Sequence, residues 1–175
     1  MNYANLIIAG LVLCLFALPS VADKPAPTPV NPASAQADEF QSGMTAFNAG
    51  KYSKARELWL PLAENGDPRA QHAIARLYEK GRGVDRDFKI AADWFLKAAE
   101  QGHADSEYRL AVGHLYGLGV KRDEATALSW LRKAANHGHK RAQKMLARAY
   151  QDGRLGLVAD PEQAKYWYDK ANSGS

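Results

Sequence analysis

Residues 81–102, GRGVDRDFKIAADWFLKAAEQG, return 36 positions later as residues 117–138, GLGVKRDEATALSWLRKAANHG. Both stretches open with Gly-x-Gly-Val, have Asp at the seventh position and Trp at the fourteenth, and close with Lys-Ala-Ala-x-x-Gly. A third copy follows from Gly153, displaced by one inserted residue near Leu155. A fixed period of this length is typical of repeat proteins, in which each unit buries its apolar face only by stacking on its neighbours.

Each unit is predicted to be a pair of helices joined by the Gly-x-Gly turn. In the first copy, apolar residues at spacings of three and four predict a first helix over 68–80 and a second over 87–101. The predicted packed faces are Ala70, Ile74, Leu77 and Tyr78 on the first helix and Ala91, Trp94, Phe95 and Ala98 on the second. On this interpretation the three recurring tryptophans are core residues: Trp94, Trp130 and Trp167.

The residues at the predicted helix ends support the same boundaries. Asp67-Pro68 is typical of a helix start, because Asp accepts hydrogen bonds from free amides and Pro fits the first turn. Gly66, Gly102 and Gly138 are expected to end the second helices in a left-handed conformation. Two further sets recur at helix starts and are expected to be caps rather than an acid/base pair or metal ligands: Asp87, Asp123 and Asp160 in one set, His103 and His139 in the other.

A partial copy precedes the three repeats. Its Ala55-to-Gly66 spacing equals the Ala91-to-Gly102 spacing, but it lacks the Gly-x-Gly-Val turn. We therefore expect an N-terminal cap pair with a shorter loop, and eight helices from about residue 38 to residue 172. The predicted boundaries are 39–66 for the cap and 67–102, 103–138 and 139–175 for the repeats.

Residues 1–22 are predicted to be a secretory signal peptide. They contain no charged side chain, and their apolar run over 6–18 is too short to span a bilayer comfortably. Pro19 and small residues up to Ala22 follow, which predicts cleavage after Ala22 and a periplasmic or secreted protein without stable membrane insertion. An uncleaved membrane anchor is the alternative.

Cleavage would also remove Cys14, which is the one cysteine of the chain. Leu13 precedes it where a lipoprotein site has a small residue, so lipidation is not expected. Residues 23–38 contain four prolines and are predicted to form an extended Pro/Ala-rich linker.

The repeated pattern Gly-x-Gly-Val-x-x-Asp, followed by Ala-x-x-Trp and Lys-Ala-Ala-x-x-Gly, resembles the Sel-like repeat (SLR), a relative of the tetratricopeptide repeat. The second copy departs from it at Ser106 and His114, the third by its insertion, and the cap more closely resembles a tetratricopeptide unit. The resemblance implies an all-α, right-handed α/α solenoid of stacked antiparallel helix pairs. It also implies a non-enzymatic scaffold that binds another protein or peptide in its concave groove. The cysteine-rich branch linked to β-lactam binding is not matched, since its paired cysteines are absent.

In solenoids of this kind the first helix of each pair lines the inner groove, so candidate partner-binding residues lie opposite the packed faces. They are Phe40, Met44 and Phe47 in the cap; Arg69, His72 and Arg76 in the first repeat; Tyr108, Val112 and Leu115 in the second; and Arg141, Lys144 and Arg148 in the third. The set is apolar at the cap and the middle and basic elsewhere, which predicts an acidic or amphipathic partner segment. A merely solvated helix face is the alternative. Tyr108 is a stronger candidate than Lys144, because exposed aromatic residues are common in binding hot spots.

Composition and motifs limit the other function classes. The chain has 23 Lys and Arg against 19 Asp and Glu, and a net charge of +4 is too small to indicate nucleic-acid binding. No nucleophile elbow, His-Glu-x-x-His helix or phosphate loop occurs, so we expect no enzyme, cofactor or metal site. Two alternatives stay open: an immunity protein that neutralises a secreted antibacterial toxin, and a binder or hydrolase of cell-wall fragments.

Overall fold

The computed structural model describes residues 32–173, with side chains from residue 38 onward. This range contains eight α-helices and no strand. They are α1 (Pro32–Asn48), α2 (Tyr52–Glu64), α3 (Pro68–Lys80), α4 (Phe88–Glu100), α5 (Ala104–Tyr116), α6 (Glu124–Asn136), α7 (Lys140–Asp152) and α8 (Pro161–Asn172). Short loops join them into four consecutive pairs, and each pair packs on the next to give an α-solenoid. The predicted all-α repeat architecture is confirmed.

The helices begin and end at the residues that the sequence pattern indicates. Asp67 and Asp87 accept hydrogen bonds from the first amides of α3 and α4, including Arg69 N at 2.8 Å and Lys89 N at 2.8 Å. His139 Nδ1 accepts from Ala142 N at 3.0 Å and so caps α7. The recurring Asp and His residues are therefore helix caps, as predicted.

Three apolar clusters form the core, each shared between neighbouring pairs. Trp59, which is 2% exposed, lies in the cluster between the cap and the first repeat, and Trp167, which is 8% exposed, lies in the cluster of the last two repeats. Trp94 and Trp130 are only partly buried, and the prediction that they are core residues is wrong for these two. Each indole packs against a core cluster, but a Lys ammonium lies 4.0 Å from its ring centroid, which keeps that side at the solvent boundary.

Polar contacts also join the two helices of one pair at a recurring position. Gln101 Nε2 donates to Gln71 Oε1 at 2.9 Å, and this contact links the end of α4 to α3. One repeat later the same two positions hold Glu107 and His137, whose Oε2 and Nδ1 atoms are 2.8 Å apart. Glu107 is fully buried, so this contact satisfies a carboxylate that would otherwise be costly to bury.

The loops inside the repeats differ in how tightly they pack. Gly119 has φ +74°, and a Cβ there would overlap the carbonyl group of Phe88 at the start of α4. Gly156 occupies the matching place in the third repeat with φ +73°, but a Cβ there would meet nothing within 4 Å. The third loop is one residue longer, and Leu155 within it has φ +59°, which is rare for a branched side chain. The insertion therefore separates this loop from the preceding pair.

The structure tests the predicted N-terminal segments only over residues 32–38. Helix α1 begins at Pro32, so the last seven residues of segment 23–38 are helical rather than extended. Pro32 fits the first turn of a helix, and the five residues after it contain no further proline. The signal peptide over 1–22 and the rest of the linker lie outside the described residues. Within residues 32–173, every helix is too short or too polar to cross a lipid bilayer.

Candidate functional site

A cleft of about 370 Å³ lies where the first helices of the three repeats come together. We call it the basic cleft. Helices α3 and α5 form its walls, and the start of α7 closes one side. Its lining residues are His72, Arg76, Asp105, Tyr108, Arg109, Gly138, His139, Lys140 and Arg141.

Two histidines at the base of this region are held neutral by burial. The His72 ring stands 4.6 Å from the His103 ring, centroid to centroid, and both Nδ1 atoms contact Ser106 Oγ, at 2.8 and 3.1 Å. Burial, with a smaller contribution from the charge of His103, lowers the pKa of His72 from 6.5 to about 3. Burial also lowers the pKa of His103. Both rings therefore act as uncharged hydrogen-bonding groups at neutral pH.

The opposite wall is a stacked pair. The Tyr108 and His139 rings lie 4.3 Å apart with an interplanar angle of 21°. Because His139 Nδ1 accepts the Ala142 amide, Nε2 carries the ring proton and faces Asp105 Oδ1 at 3.1 Å. Burial lowers the pKa of His139, so the ring is neutral at pH 7. The one carboxylate that lines the cleft thus already has a neighbouring donor.

Positive charge in the cleft exceeds the available carboxylates. Glu79, which lies next to the cleft, forms ion pairs with three cations: Arg109 Nη1 at 3.1 Å, Arg76 Nε at 3.5 Å and Lys80 Nζ at 3.6 Å. Arg76 Nε and Glu79 Oε2 are both buried, yet their geometry is not that of a hydrogen bond. Burial and the nearby charge of Arg109 lower the pKa of Arg76. Like charges therefore crowd Arg76, and a further anion would relieve this repulsion.

Two more cations stand at the start of α7. Lys140 and Arg141 form no ion pair among the residues that the structure describes, and their amides belong to the first turn of the helix, where no carbonyl lies one turn earlier. The helix dipole adds partial positive charge at the same place. The basic cleft thus carries an excess of positive charge, which a carboxylate or a similar anion would neutralise.

The low pKa of His72 predicts a loss of stability in mild acid. Below pH 6.5 the His72 side chain binds a proton in the unfolded chain but not in the folded chain. The free energy of unfolding therefore falls from pH 6.5 towards pH 3. At pH 5 this one residue costs about 2 kcal/mol relative to pH 7. We expect His72→Asn, which can still bond Ser106, to remove about that much of the difference in unfolding free energy between pH 7 and pH 5, measured by urea titration.

The matched control is His114→Asn. His114 contacts Lys121 O at a loop, away from the cleft, so this variant should retain the acid sensitivity of the unmodified chain. Equal pH dependence in the His72→Asn variant and the unmodified chain would contradict the assignment.

A second cleft, of about 690 Å³, lies at the other ends of α5 and α7, where the third-repeat insertion opens the packing. We call it the C-terminal cleft. Tyr116, which is 68% exposed, and Leu155 belong to its apolar part. Its polar residues are partly neutralised, since Arg122 pairs with Glu124 at 2.8 Å. The full lining is Leu115, Tyr116, Arg122, Glu124, Met145, Arg148, Ala149, Asp152, Gly153, Arg154, Leu155 and Gly156.

The structure brings together six of the twelve predicted partner residues, in two groups. Four line the basic cleft: His72, Arg76, Tyr108 and Arg141. Two line the C-terminal cleft: Leu115 and Arg148. Lys144 is exposed between the two clefts and lines neither, and Val112 lies in a narrow gap between α5 and the preceding pair.

Of the remaining four predicted residues, three belong to the cap, and the fourth, Arg69 at the start of α3, packs against it. Phe40 and Phe47 stack around Trp59 at centroid distances of 5.8 and 5.7 Å, and Met44 packs against the same cluster. Arg69 covers the Phe40 ring at 4.8 Å and pairs with the Asp67 cap at 2.7 Å. These side chains therefore stabilise the cap, and their part in partner binding stays a prediction.

Among the cleft residues that sequence reasoning missed are Arg109, His139 and Lys140. His139 was predicted to be a helix cap and Lys140 was not singled out, because the contact of this helix start with the neighbouring repeat is visible only in the structure. Arg109 lies next to Tyr108 in the sequence and was not among the predicted residues, although its long side chain reaches Glu79 on α3. Within the described residues, no group of three or more His, Cys, Asp or Glu side chains is placed to hold a metal ion.

Comparisons with known proteins agree with this architecture. A family model described as Sel1 repeat matches residues 68–103, 104–139 and 140–174. A Sel1 repeat protein from Oxalobacter formigenes is similar to the chain with a TM-score of 0.73 and 32% identity, over 79% of this chain and 55% of that one. A protective antigen of uropathogenic Escherichia coli strains with an SLR fold is similar with a TM-score of 0.73 and 29% identity, over 82% of this chain and 32% of that one. The chain thus spans about half of the first protein and about a third of the second. Among proteins with curated descriptions, no sequence matches it.

Proposed function

The chain belongs to the Sel1 repeat family, and on this premise we propose that it is an exported scaffold that binds an acidic or amphipathic segment of another protein in the basic cleft. Proteins built from these repeats are generally protein-interaction scaffolds and are typically not catalytic. The segment's chemistry and the export of the chain are the specific parts of the proposal.

One observation carries the choice of partner chemistry. Four cationic side chains line the basic cleft against the single carboxylate of Asp105, while its histidines are neutral. Arg76 and Arg109 are partly buried and share the carboxylate of Glu79, so the repulsion between them costs free energy in the unbound protein. A partner carboxylate would recover that cost on binding, and complementary charge would also speed association.

Export is supported by the sequence alone. The uncharged segment over 1–22 ends in small residues and is followed by a proline-rich stretch, as in secreted precursors. An immunity role is a narrower form of the same proposal, in which a single toxin saturates the cleft. A binder or hydrolase of cell-wall fragments would use the same cations for a different anion.

Arg141→Glu is expected to abolish partner capture. Arg141 is exposed and without an ion pair among the described residues, so its reversal changes the charge of the cleft and leaves the fold intact. The full chain, purified from the periplasm, would be immobilised and exposed to a periplasmic extract, and captured proteins compared by quantitative mass spectrometry. We expect at least a tenfold loss of the specific partner.

The control is Lys165→Glu, which makes the same change in net charge on an exposed face of α8. It should capture the partner as the unmodified chain does. If both variants lose the partner equally, the interaction depends on net charge only; if neither does, the basic cleft is not the binding site.

A further inference from the structure

The two clefts are formed by the same two helices. Tyr108 and Arg141 line the basic cleft, and Leu115 and Arg148, each seven residues further along α5 and α7, line the C-terminal cleft. Seven residues of α-helix rise about 10.5 Å and return a side chain to the same face. The clefts are therefore neighbouring sites on one surface, about 10 Å apart along the helices.

The clefts differ in chemistry. The basic cleft combines an excess of cations with a stacked Tyr108–His139 wall. In the C-terminal cleft, Arg122 pairs with Glu124, and Arg154 Nε lies 3.5 Å from Asp152 Oδ2, so most charge there is already balanced. What it leaves unfilled is apolar surface from Leu115, Tyr116, Met145 and Leu155.

Leu155 supports a binding role for the C-terminal cleft. Its left-handed backbone conformation, φ +59°, is disfavoured for a residue with a Cβ. Glycine occupies the left-handed positions of the other repeat loops without such a cost. The side chain of Leu155 packs partly against the core cluster of the last two repeats, and the rest of its apolar surface lines the C-terminal cleft.

We infer that one extended segment of the partner occupies both clefts, with an Asp or Glu side chain in the basic cleft and a large apolar side chain three or four residues away in the C-terminal cleft. An extended chain advances about 3.1–3.4 Å per residue, so three or four residues cover the distance between the clefts. In a polyproline II segment, residues three apart also point to the same side. This inference rests on the proposed function and specifies the segment that the scaffold binds.

The test is a selection of displayed random octapeptides on the immobilised full chain. We expect the enriched peptides to contain Asp or Glu and a large apolar residue at a separation of three or four, in either order. The same selection on the Arg141→Glu variant should lose the acidic residue from the enriched set.

Two variants test the C-terminal cleft directly. Tyr116→Ser changes a side chain that is 68% exposed, so folding is unaffected. Leu155→Gly suits the left-handed backbone and removes the apolar wall. Each is expected to weaken binding of an enriched peptide about tenfold, and Lys165→Glu should not.

The outcomes separate this inference from the proposed function. Enrichment of acidic peptides without a spaced apolar residue, or unchanged affinity in both variants, would overturn the two-cleft inference and leave the basic cleft as the binding site. Equal enrichment on the unmodified chain and on Arg141→Glu would overturn both.

Discussion

Gly119→Ala is expected to destabilise the protein by about 4 kcal/mol, which is among the largest effects of a single added methyl group. Gly119 lies in the turn between α5 and α6, and its φ of +74° already disfavours any residue with a Cβ. The added Cβ would also overlap the backbone carbonyl of Phe88 at the start of α4. Because the obstacle is main chain rather than a flexible side chain, the clash can be relieved only by moving one helix pair relative to the next.

Gly117→Ala separates the two causes. Gly117 has nearly the same backbone conformation, φ +70°, but the nearest atom to an added Cβ is Arg122 Cβ at an ordinary 3.7 Å. We expect this variant to lose about 1 kcal/mol from backbone strain alone. Urea unfolding of both variants measures the difference, and equal losses would show that the turn of the second repeat does not pack on α4 as described.

Gly156→Ala extends the series to the third repeat. The added Cβ meets nothing within 4 Å there, so the loss should resemble that of Gly117→Ala. Gly119→Ala and Gly156→Ala are thus expected to change stability by different amounts, although the two glycines occupy matching positions. The insertion near Leu155 moves the third loop away from the preceding pair, whereas the second loop packs on it.

The repeat pattern was sufficient to predict the architecture. The 36-residue period, the recurring Asp and His caps and the glycines at helix ends predicted α3 over 68–80 at its observed bounds, and α4 over 87–101 with one residue too many at each end. These signals are local: a cap or a left-handed glycine is determined by the residues of one turn. The helix ends that they predict therefore agree closely with the structure.

The errors concern features that depend on neighbouring helices. Trp94 and Trp130 recur at a helical position that borders the core, and only the packed structure shows Lys97 and Lys133 over their rings. The start of α1 was placed too late, since four prolines made the whole segment 23–38 read as extended. The repeat period and the composition do not indicate at which proline the extended segment ends and the helix begins.

The candidate site was partly predictable for the same reason. The predicted residues include His72, Tyr108 and Arg141, one from each of α3, α5 and α7, and these three line the same cleft because equivalent helices of consecutive repeats lie side by side. The predicted set does not include Arg109 or His139, whose roles arise from contacts between repeats. Leu115 and Arg148 of the C-terminal cleft were also among the predicted residues, but the single inserted residue was the one sign in the sequence that the packing opens there.

Trp59→Ala is the second substitution with a large expected effect, a loss of about 4 kcal/mol. By the Ala55-to-Ala91 alignment, Trp59 occupies the place of Phe95, not that of the recurring tryptophans. Its Nε1 donates to Phe40 O at 3.1 Å, and its ring lies between Phe40 and Phe47. Removing it leaves a cavity in the middle of the cap and an acceptor without its donor.

Trp94→Ala is the matched control of the same residue type. Because Trp94 is partly exposed, its removal should cost about 1–2 kcal/mol, including the cation–π contact with Lys97. A loss equal to that of Trp59→Ala would contradict the burial difference between the two positions.

The consequences of Trp59→Ala should be confined to one end of the molecule. In a solenoid each pair contacts only its neighbours, so stability is close to a sum of local terms. Hydrogen exchange should show α1 and α2 losing protection while α5 to α8 retain it, and Arg141-dependent partner capture should persist because the basic cleft lies in the repeats. If capture is lost while α5 to α8 stay protected, then Phe40, Met44 and Phe47 contribute to partner binding through an ordered cap, as the sequence first suggested. Loss of protection along all eight helices would instead show that the cap and the repeats fold as a single cooperative unit.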